Sequence, residues 1–275
     1  MGVMTTLIDD FISQHSSSDD ATLARALVTE AGRLASRMRA SGLSTDYKTS
    51  ISDVVTEADR AAEKFVAGVL EGLRGDDGVL GEEGAARTSR TGRTWVIDPV
   101  DGTYNFTSGF SYYCSALALV EGPAAHPDRL LLGAVHRPEP GVTYLGGPER
   151  PTTVDGEPVA PLAEKQAAEI SVASYLHPTV MLDEAIRDAW VAAISRFATV
   201  RMLGAGSVDL ALVASGKVGA WVQHSVADWD WLPGKALVTG AGGAGRKVEA
   251  GGVEWCVAGN RAVVDEICSQ LAENA

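Results

Sequence analysis

The sequence predicts a mixed α/β protein, on three observations. Apolar residues recur at helical spacing near the N-terminus, apolar runs of strand length fill the middle, and strands then alternate with helices of ~8–15 residues. The chain has 275 residues, 45% hydrophobic and 21% charged, enough to bury a sizeable core.

Residues 15–20 form a polar break able to cap a helix, and Leu23, Ala26, Leu27, Ala31, Leu34 and Met38 follow at helical spacing until Ser41-Gly42. A second helix is predicted over 57–73, with Ala61, Phe65, Val69 and Leu73 inward. Residues 78–81 read as a strand end, 87–92 as a polar loop, and 94–97 as a buried strand running into Asp98-Pro99. Strands are predicted at 114–120 and 130–136, with 142–145 as hairpin partner of the latter. The stretch 146–161, rich in Gly, Pro and charge, reads as a loop, and the chain is divided there into halves 1–146 and 147–275. In the second half strands are predicted at 170–173, 199–203, 220–222 and 255–258, and helices at 180–195, 207–214, 232–239 and 261–271.

A net charge of −13 argues against nucleic acid, whose binders need a basic surface, and against docking on anionic lipid. No signal peptide opens the chain and no apolar stretch is long enough to span a bilayer, so the expectation is a soluble cytoplasmic protein without membrane partners. Cys114, Cys256 and Cys268 form no CxxC and read as small core residues. His126, His136, His177 and His224 lack ligand spacing. The glycine-rich stretch 240–245 follows a helix instead of opening one, so it reads as a helix end and turn, not a dinucleotide fingerprint.

Four segments carry chemistry. In Asp98-Pro99-Val100-Asp101-Gly102-Thr103-Tyr104-Asn105-Phe106, a strand delivers Asp98 to its carboxyl end. Pro99 cannot extend the ladder and Gly102 permits a tight turn, so both aspartates can reach one side ahead of a helix start whose amides suit a phosphate. Two hard oxygen donors there suit Mg²⁺, although an Asp-Pro turn with a helix cap has the same signature. Gly81-Glu82-Glu83-Gly84 is either a solvated acidic loop or a pair of glutamates held beside a cation. Asp230, in Asp228-Trp229-Asp230-Trp231, is either an N-cap or a carboxylate aimed outward from a helix start, and Trp231 reads as core. In Asp53-Val54-Val55-Thr56-Glu57-Ala58-Asp59, Thr56 and Asp59 are either a capping box at a helix start or set Asp59 as a carboxylate near a nucleophilic water.

In this order, and with Gly242-Gly243 after Trp229-Asp230, these strings resemble the inositol monophosphatase family, within a wider group that includes fructose-bisphosphatases and bisphosphate-nucleotide phosphatases. The resemblance covers most of the chain. It implies a layered α-β-α-β-α sandwich, commonly a homodimer, that hydrolyses a small phosphate monoester with a pair of Mg²⁺ ions and a weaker third. Glu82, Asp98 and the Val100 carbonyl would hold the first ion, and Asp98, Asp101 and Asp230 the second, with Glu82 aiding the third. Thr103 and Asp59 would orient the attacking water, and the Gly102 and Thr103 amides would hold the phosphate. Gly204, Ala205, Gln223 and Asp230 would line the substrate pocket.

Three departures fall in or near that pocket. Gln223 stands where family members acting on inositol phosphate usually carry a glutamate that binds a substrate hydroxyl. Ala205 lacks a hydroxyl usual at its position, and Trp231-Leu232-Pro233 replaces small residues at the helix start. The metal chemistry stays intact while the substrate opens. Inositol 1-phosphate leads, with histidinol phosphate, fructose 1,6-bisphosphate and 3′-phosphoadenosine 5′-phosphate as alternatives. A regulatory scaffold that kept the fold is the non-enzymatic alternative.

Overall fold

The computed structural model describes residues 2–42, 45–47 and 54–273. The larger of its two main sheets takes β3 (Gly78–Gly81), β4 (Ala86–Arg87), β5 (Arg93–Asp101), β6 (Cys114–Glu121), β7 (Arg129–Arg137), β8 (Val142–Gly147), β9 (Arg150–Val154) and β10 (Glu157–Pro158). Their spatial order is β10-β9-β8-β7-β6-β5-β3-β4, antiparallel except for β3 beside β5. The second sheet takes β11 (Ser171–Ser174), β12 (Thr199–Arg201), β13 (Ala220–His224), β14 (Ala244–Ala250) and β15 (Val253–Gly259) in the order β12-β11-β13-β15-β14. A short pair, β1 (Thr45–Tyr47) with β2 (Val54–Thr56), precedes them.

Period-two alternation along the strands fixes the layers. Trp95 and Ile97 of β5 turn to α1 (Gly2–His15), α2 (Asp20–Ser41) and α3 (Glu57–Leu73), whereas Val96 turns to α6 (Gly206–Ala214) and α7 (Asp228–Gly240). Trp221 of β13 and Cys256 and Ala258 of β15 meet α6 and α7 from the other side. Val222, Trp255 and Val257 face outward to α5 (Glu184–Ile194) and α8 (Arg261–Ala272). The result is the expected α-β-α-β-α sandwich, with α6 and α7 as its middle layer. Glycines make that layer tight: a Cβ at Gly133 of β7 would overlap the Pro233 carbonyl of α7, and one at Gly234 would overlap Leu210 of α6.

Several elements differ from expectation. Helix α1 was not predicted, and it lays Met4, Leu7, Ile8, Phe11 and Ile12 on the core beneath α3. The inner face of α3 is Ala58, Ala62, Phe65, Val66, Val69 and Leu70, leaving Ala61 and Leu73 half-buried. Arg87 belongs to β4 and its guanidinium bonds the Asp77 and Arg74 carbonyls, so it is no loop residue. Residues 146–161 contain β9 and β10, which carry the first sheet past residue 147 to Pro158. Helix α5 starts at Glu184 under an Asp183 cap, after a 3₁₀ turn at Val180–Leu182. Helix α7 starts at Asp228, four residues earlier than predicted, so Asp230 lies inside its first turn and Ala227 is the cap. Ala244 and Gly245 already belong to β14 instead of extending a turn. Asp53 lies outside the described residues. Among the described residues no helix is long and apolar enough to cross a membrane.

Candidate metal centre

The centre begins with an irregularity in β5. Side chains three apart on a regular strand face opposite ways. Here Asp98 pairs with Ala116 and Asp101 with Cys114, so three steps on β5 match two on β6 and the strand bulges between the aspartates. The extra residue brings both carboxylates to one side. Pro99 has no N–H to lose, and its carbonyl takes the Ser115 hydroxyl at 2.6 Å. The Val100 N–H closes the turn on Asp98 Oδ1 at 3.0 Å. Gly102 then adopts φ 87°, and a Cβ there would press within 3.0 Å of the Ala205 Cβ and the Tyr112 carbonyl. Helix α4 (Thr103–Thr107) follows, and Asn105 ties it to the second half by donating to the Leu203 carbonyl at 2.7 Å.

Asp230 arrives from the first turn of α7. One carboxylate oxygen each from Asp98, Asp101 and Asp230 lies within 4.8 Å of the others. Asp98 is 1% exposed and Asp101 6% exposed, with Asp230 half-buried. Burial pushes the Asp98 carboxyl well above the usual carboxylate range, and the charges of Glu82, Asp101 and Asp230 push the same way. Burial also raises Asp101, to about 6, against the pull of the Ser207 amide and hydroxyl and the Gly206 amide.

Buried Asp98 Oδ2 meets no hydrogen-bond donor among the described residues. Like charges packed around an unsatisfied anionic oxygen are costly unless a cation joins them. The Cys114 thiol, 3.9 Å from Asp101 Oδ2, is driven up by burial and stays a donor, so the available donors are hard carboxylate oxygens. That set fits a hard divalent cation.

Glu82 follows β3, whose partner is β5; its N–H bonds the Ile97 carbonyl at 3.2 Å and its charge reaches Asp98. Asp59 is fully buried at the start of α3, where Thr56 and Asp59 form the predicted capping box. Its Oδ2 accepts the Thr56 N–H at 3.0 Å, while Oδ1 faces the Thr103 hydroxyl at 3.0 Å. That hydroxyl also lies 2.9 Å from the Val100 carbonyl, so one proton is shared between two acceptors. Gly204, at φ 76°, and Ala205 lead into α6 against Gly102. Gln223 is half-buried on β13 opposite Cys256, and among the described residues no hydrogen bond joins it to the acidic cluster. Trp231 stacks on Trp221 in the core at 5.7 Å, as expected.

Two contributors had no forecast. The Ser207 amide, at the start of α6, donates to Asp101, and any residue but proline would supply that N–H. Behind it Tyr112 donates to Asp209 at 2.6 Å, and burial lifts Asp209 to about 7. The Gly-Ala-Gly run before Ser207 was the only signal for the first, and nothing local marks the second.

A layered α/β sandwich carrying this three-carboxylate cluster, two of its members buried, defines the class, that of metal-dependent phosphomonoesterases. A profile of the inositol monophosphatase family matches residues 17–273, and the chain belongs to that family. It is 32% identical over 265 residues to a histidinol-phosphatase of Mycobacterium tuberculosis, covering 93% of this chain and 98% of that protein. It is 29% identical over 200 residues to a fructose-1,6-bisphosphatase/inositol-1-monophosphatase of Thermotoga maritima, covering 72% and 73%. The fold superposes on extragenic suppressor protein suhB of Bartonella henselae with a TM-score of 0.80 at 21% identity, covering 92% and 98% of the two chains.

Proposed function

We propose that the protein is a Mg²⁺-dependent phosphatase of a small phosphate monoester, with inositol 1-phosphate as leading substrate. The observation that carries this is the convergence of one carboxylate oxygen each from Asp98, Asp101 and Asp230 to within 4.8 Å of one another, with buried Asp98 Oδ2 lacking a donor. Asp98, Glu82 and the Val100 carbonyl would hold one Mg²⁺, and Asp98, Asp101 and Asp230 a second, with Glu82 aiding a weaker third. Bound there, the ions supply charge neutralisation at the phosphate and acidify water.

The chain's own groups do the positioning. Asp59 accepts the Thr103 proton, which leaves the Thr103 oxygen to accept from, and so aim, the attacking water in line with phosphorus. The Gly102 and Thr103 amides hold phosphate oxygens at the start of α4, ahead of the first intrahelical bond from Phe106 N–H to the Gly102 carbonyl at 2.9 Å. Asp230 holds the water that protonates the leaving alkoxide. Positioning and charge neutralisation account for most catalysis in phosphoryl transfer. Gly204, Ala205 and Gln223 border the leaving group, and Gln223 offers it a neutral donor and acceptor. Ligands come from both sides of the 146/147 division, although the first sheet runs past it to Pro158, and the enzyme works in the cytoplasm as a homodimer, whose size light scattering checks.

Histidinol phosphate is the second reading, favoured by the near full-length likeness to the mycobacterial histidinol-phosphatase. A panel of phosphate esters with and without Mg²⁺ decides between them. Mg²⁺-independent turnover, or none on any ester, would count against both.

A further inference from the structure

Glu63 sits one helical turn beyond Asp59 on α3 and is 4% exposed. Its carboxylate is turned into the loop after β3. Oε2 accepts the Glu83 N–H at 2.8 Å and Oε1 the Ala85 N–H at 2.7 Å. The same loop is closed by the Gly81 N–H on the Ala85 carbonyl at 2.7 Å. Gly81 has no room for a side chain, because a Cβ there would overlap the Glu63 carboxylate. Glu63 therefore fills the hollow of the loop that carries Glu82. Residues four apart share a helix face, so α3 presents two carboxylates on one face. Asp59 takes Thr103 of α4, and Glu63 takes the Glu82 loop.

We infer that Glu63 is a positioning residue for the metal centre. By clamping the amides on either side of Gly84 it sets the direction in which Glu82 leaves β3, toward Asp98. Two charge-assisted bonds from one rigid helix hold that loop where its own sequence, with glycines at 81 and 84, would leave it free to turn. The inference rests on Glu82 being a metal ligand.

Glu63→Gln tests it. The variant keeps the shape but offers one acceptor and one NH₂, so one loop N–H loses its partner. Mn²⁺ binding to metal-free protein, followed by calorimetry, should weaken by about 10–100-fold, the usual cost of losing a group that orients a ligand. The Mg²⁺ concentration for half-maximal rate should rise by the same factor. Glu63→Asp, which keeps the charge but is too short to reach both amides, should behave alike. In wild type, saturating Mg²⁺ should slow hydrogen exchange at the Glu83 and Ala85 amides. Unchanged Mn²⁺ affinity with a lowered melting temperature makes Glu63 a structural clamp only and overturns the inference. So does unchanged exchange at those amides, which needs no variant. Glu82→Gln is run alongside. If it weakens Mn²⁺ binding and Glu63→Gln does not, only the positioning role fails; if neither does, the ligand role of Glu82 fails with it.

Discussion

Asp98→Asn should raise the stability of the metal-free protein while cutting the activity of the Mg²⁺-loaded one. Asparagine Oδ1 keeps the 3.0 Å bond from the Val100 N–H. Its Nδ2 replaces Oδ2, which is buried without a donor, and puts an N–H beside the Asp101 and Asp230 carboxylates where an anionic oxygen stood. A hydrogen bond to a charged acceptor is worth about 1.5–3 kcal/mol, which for a chain of this size is a rise of about 3–5 °C in Tm. Wild type at about 100 times the Kd for Mg²⁺ should gain ~2.7 kcal/mol, whereas the variant should gain nothing. Losing transition-state charge stabilisation of ~4 kcal/mol lowers turnover ~10³-fold. Differential scanning fluorimetry with and without Mg²⁺, together with phosphate release from the best ester, reads all three. A variant that turns over within tenfold of wild type, or whose Tm still climbs with Mg²⁺, would refute the reasoning.

Thr103→Val should lower kcat by about 10²-fold with Mn²⁺ affinity unchanged, since the hydroxyl aims water and holds no ion; a calorimetric loss of metal binding would contradict that role. Gln223→Glu should alter the ranking of phosphate esters in kcat/KM while leaving the Mg²⁺ requirement alone, and an unaltered ranking would remove Gln223 from the pocket. Burial, with Arg33 adding to it, pushes His136 down to about 4. Between that value and the ordinary 6.5 the unfolded chain holds a proton that the folded chain does not. The stability present at neutral pH is therefore lost as pH falls through this window, by at most about 3 kcal/mol. Asp98, Asp101 and Asp209, all raised by burial, act in the opposite sense, so the comparison is between variants: on going from pH 7 to 4.5 the urea midpoint of His136→Gln should fall less, or rise more, than that of wild type, and an equal change would sink the assignment.

The sequence disclosed those parts of the molecule whose local chemistry has one outcome. Trp95 to Ile97 is a buried run that a strand satisfies, and β5 carries it through the bulge at Asp98-Pro99 to Asp101. Thr56 and Asp59 mark the start of α3 because each satisfies the other's backbone. Other elements take their definition from distant partners. β9 buries only Thr152 fully, so Arg150 to Val154 shows no clean apolar alternation, and its pairing with β8 and β10 is what makes it a strand. Helix α7 begins at Asp228 with Ala227 as a cap that has no side-chain hydrogen bond, which hid its true start and the place of Asp230 within the first turn. The apolar spacing of α1 was present but stood outside the segment bounded by the polar break. The carboxylates of the centre could be named because their residue types are diagnostic, whereas the Ser207 amide and the Glu63 clamp work through backbone N–H groups that leave no mark on composition.

Diffraction from crystals loaded with Mn²⁺ and recorded for anomalous signal tests the centre most directly. The predicted result is strong peaks at about 2.1–2.3 Å from carboxylate oxygens of Asp98, Asp101 and Asp230, with Glu82 turned toward Asp98. Peaks confined to other surfaces, with those three side chains bound only to protein and water, would contradict it.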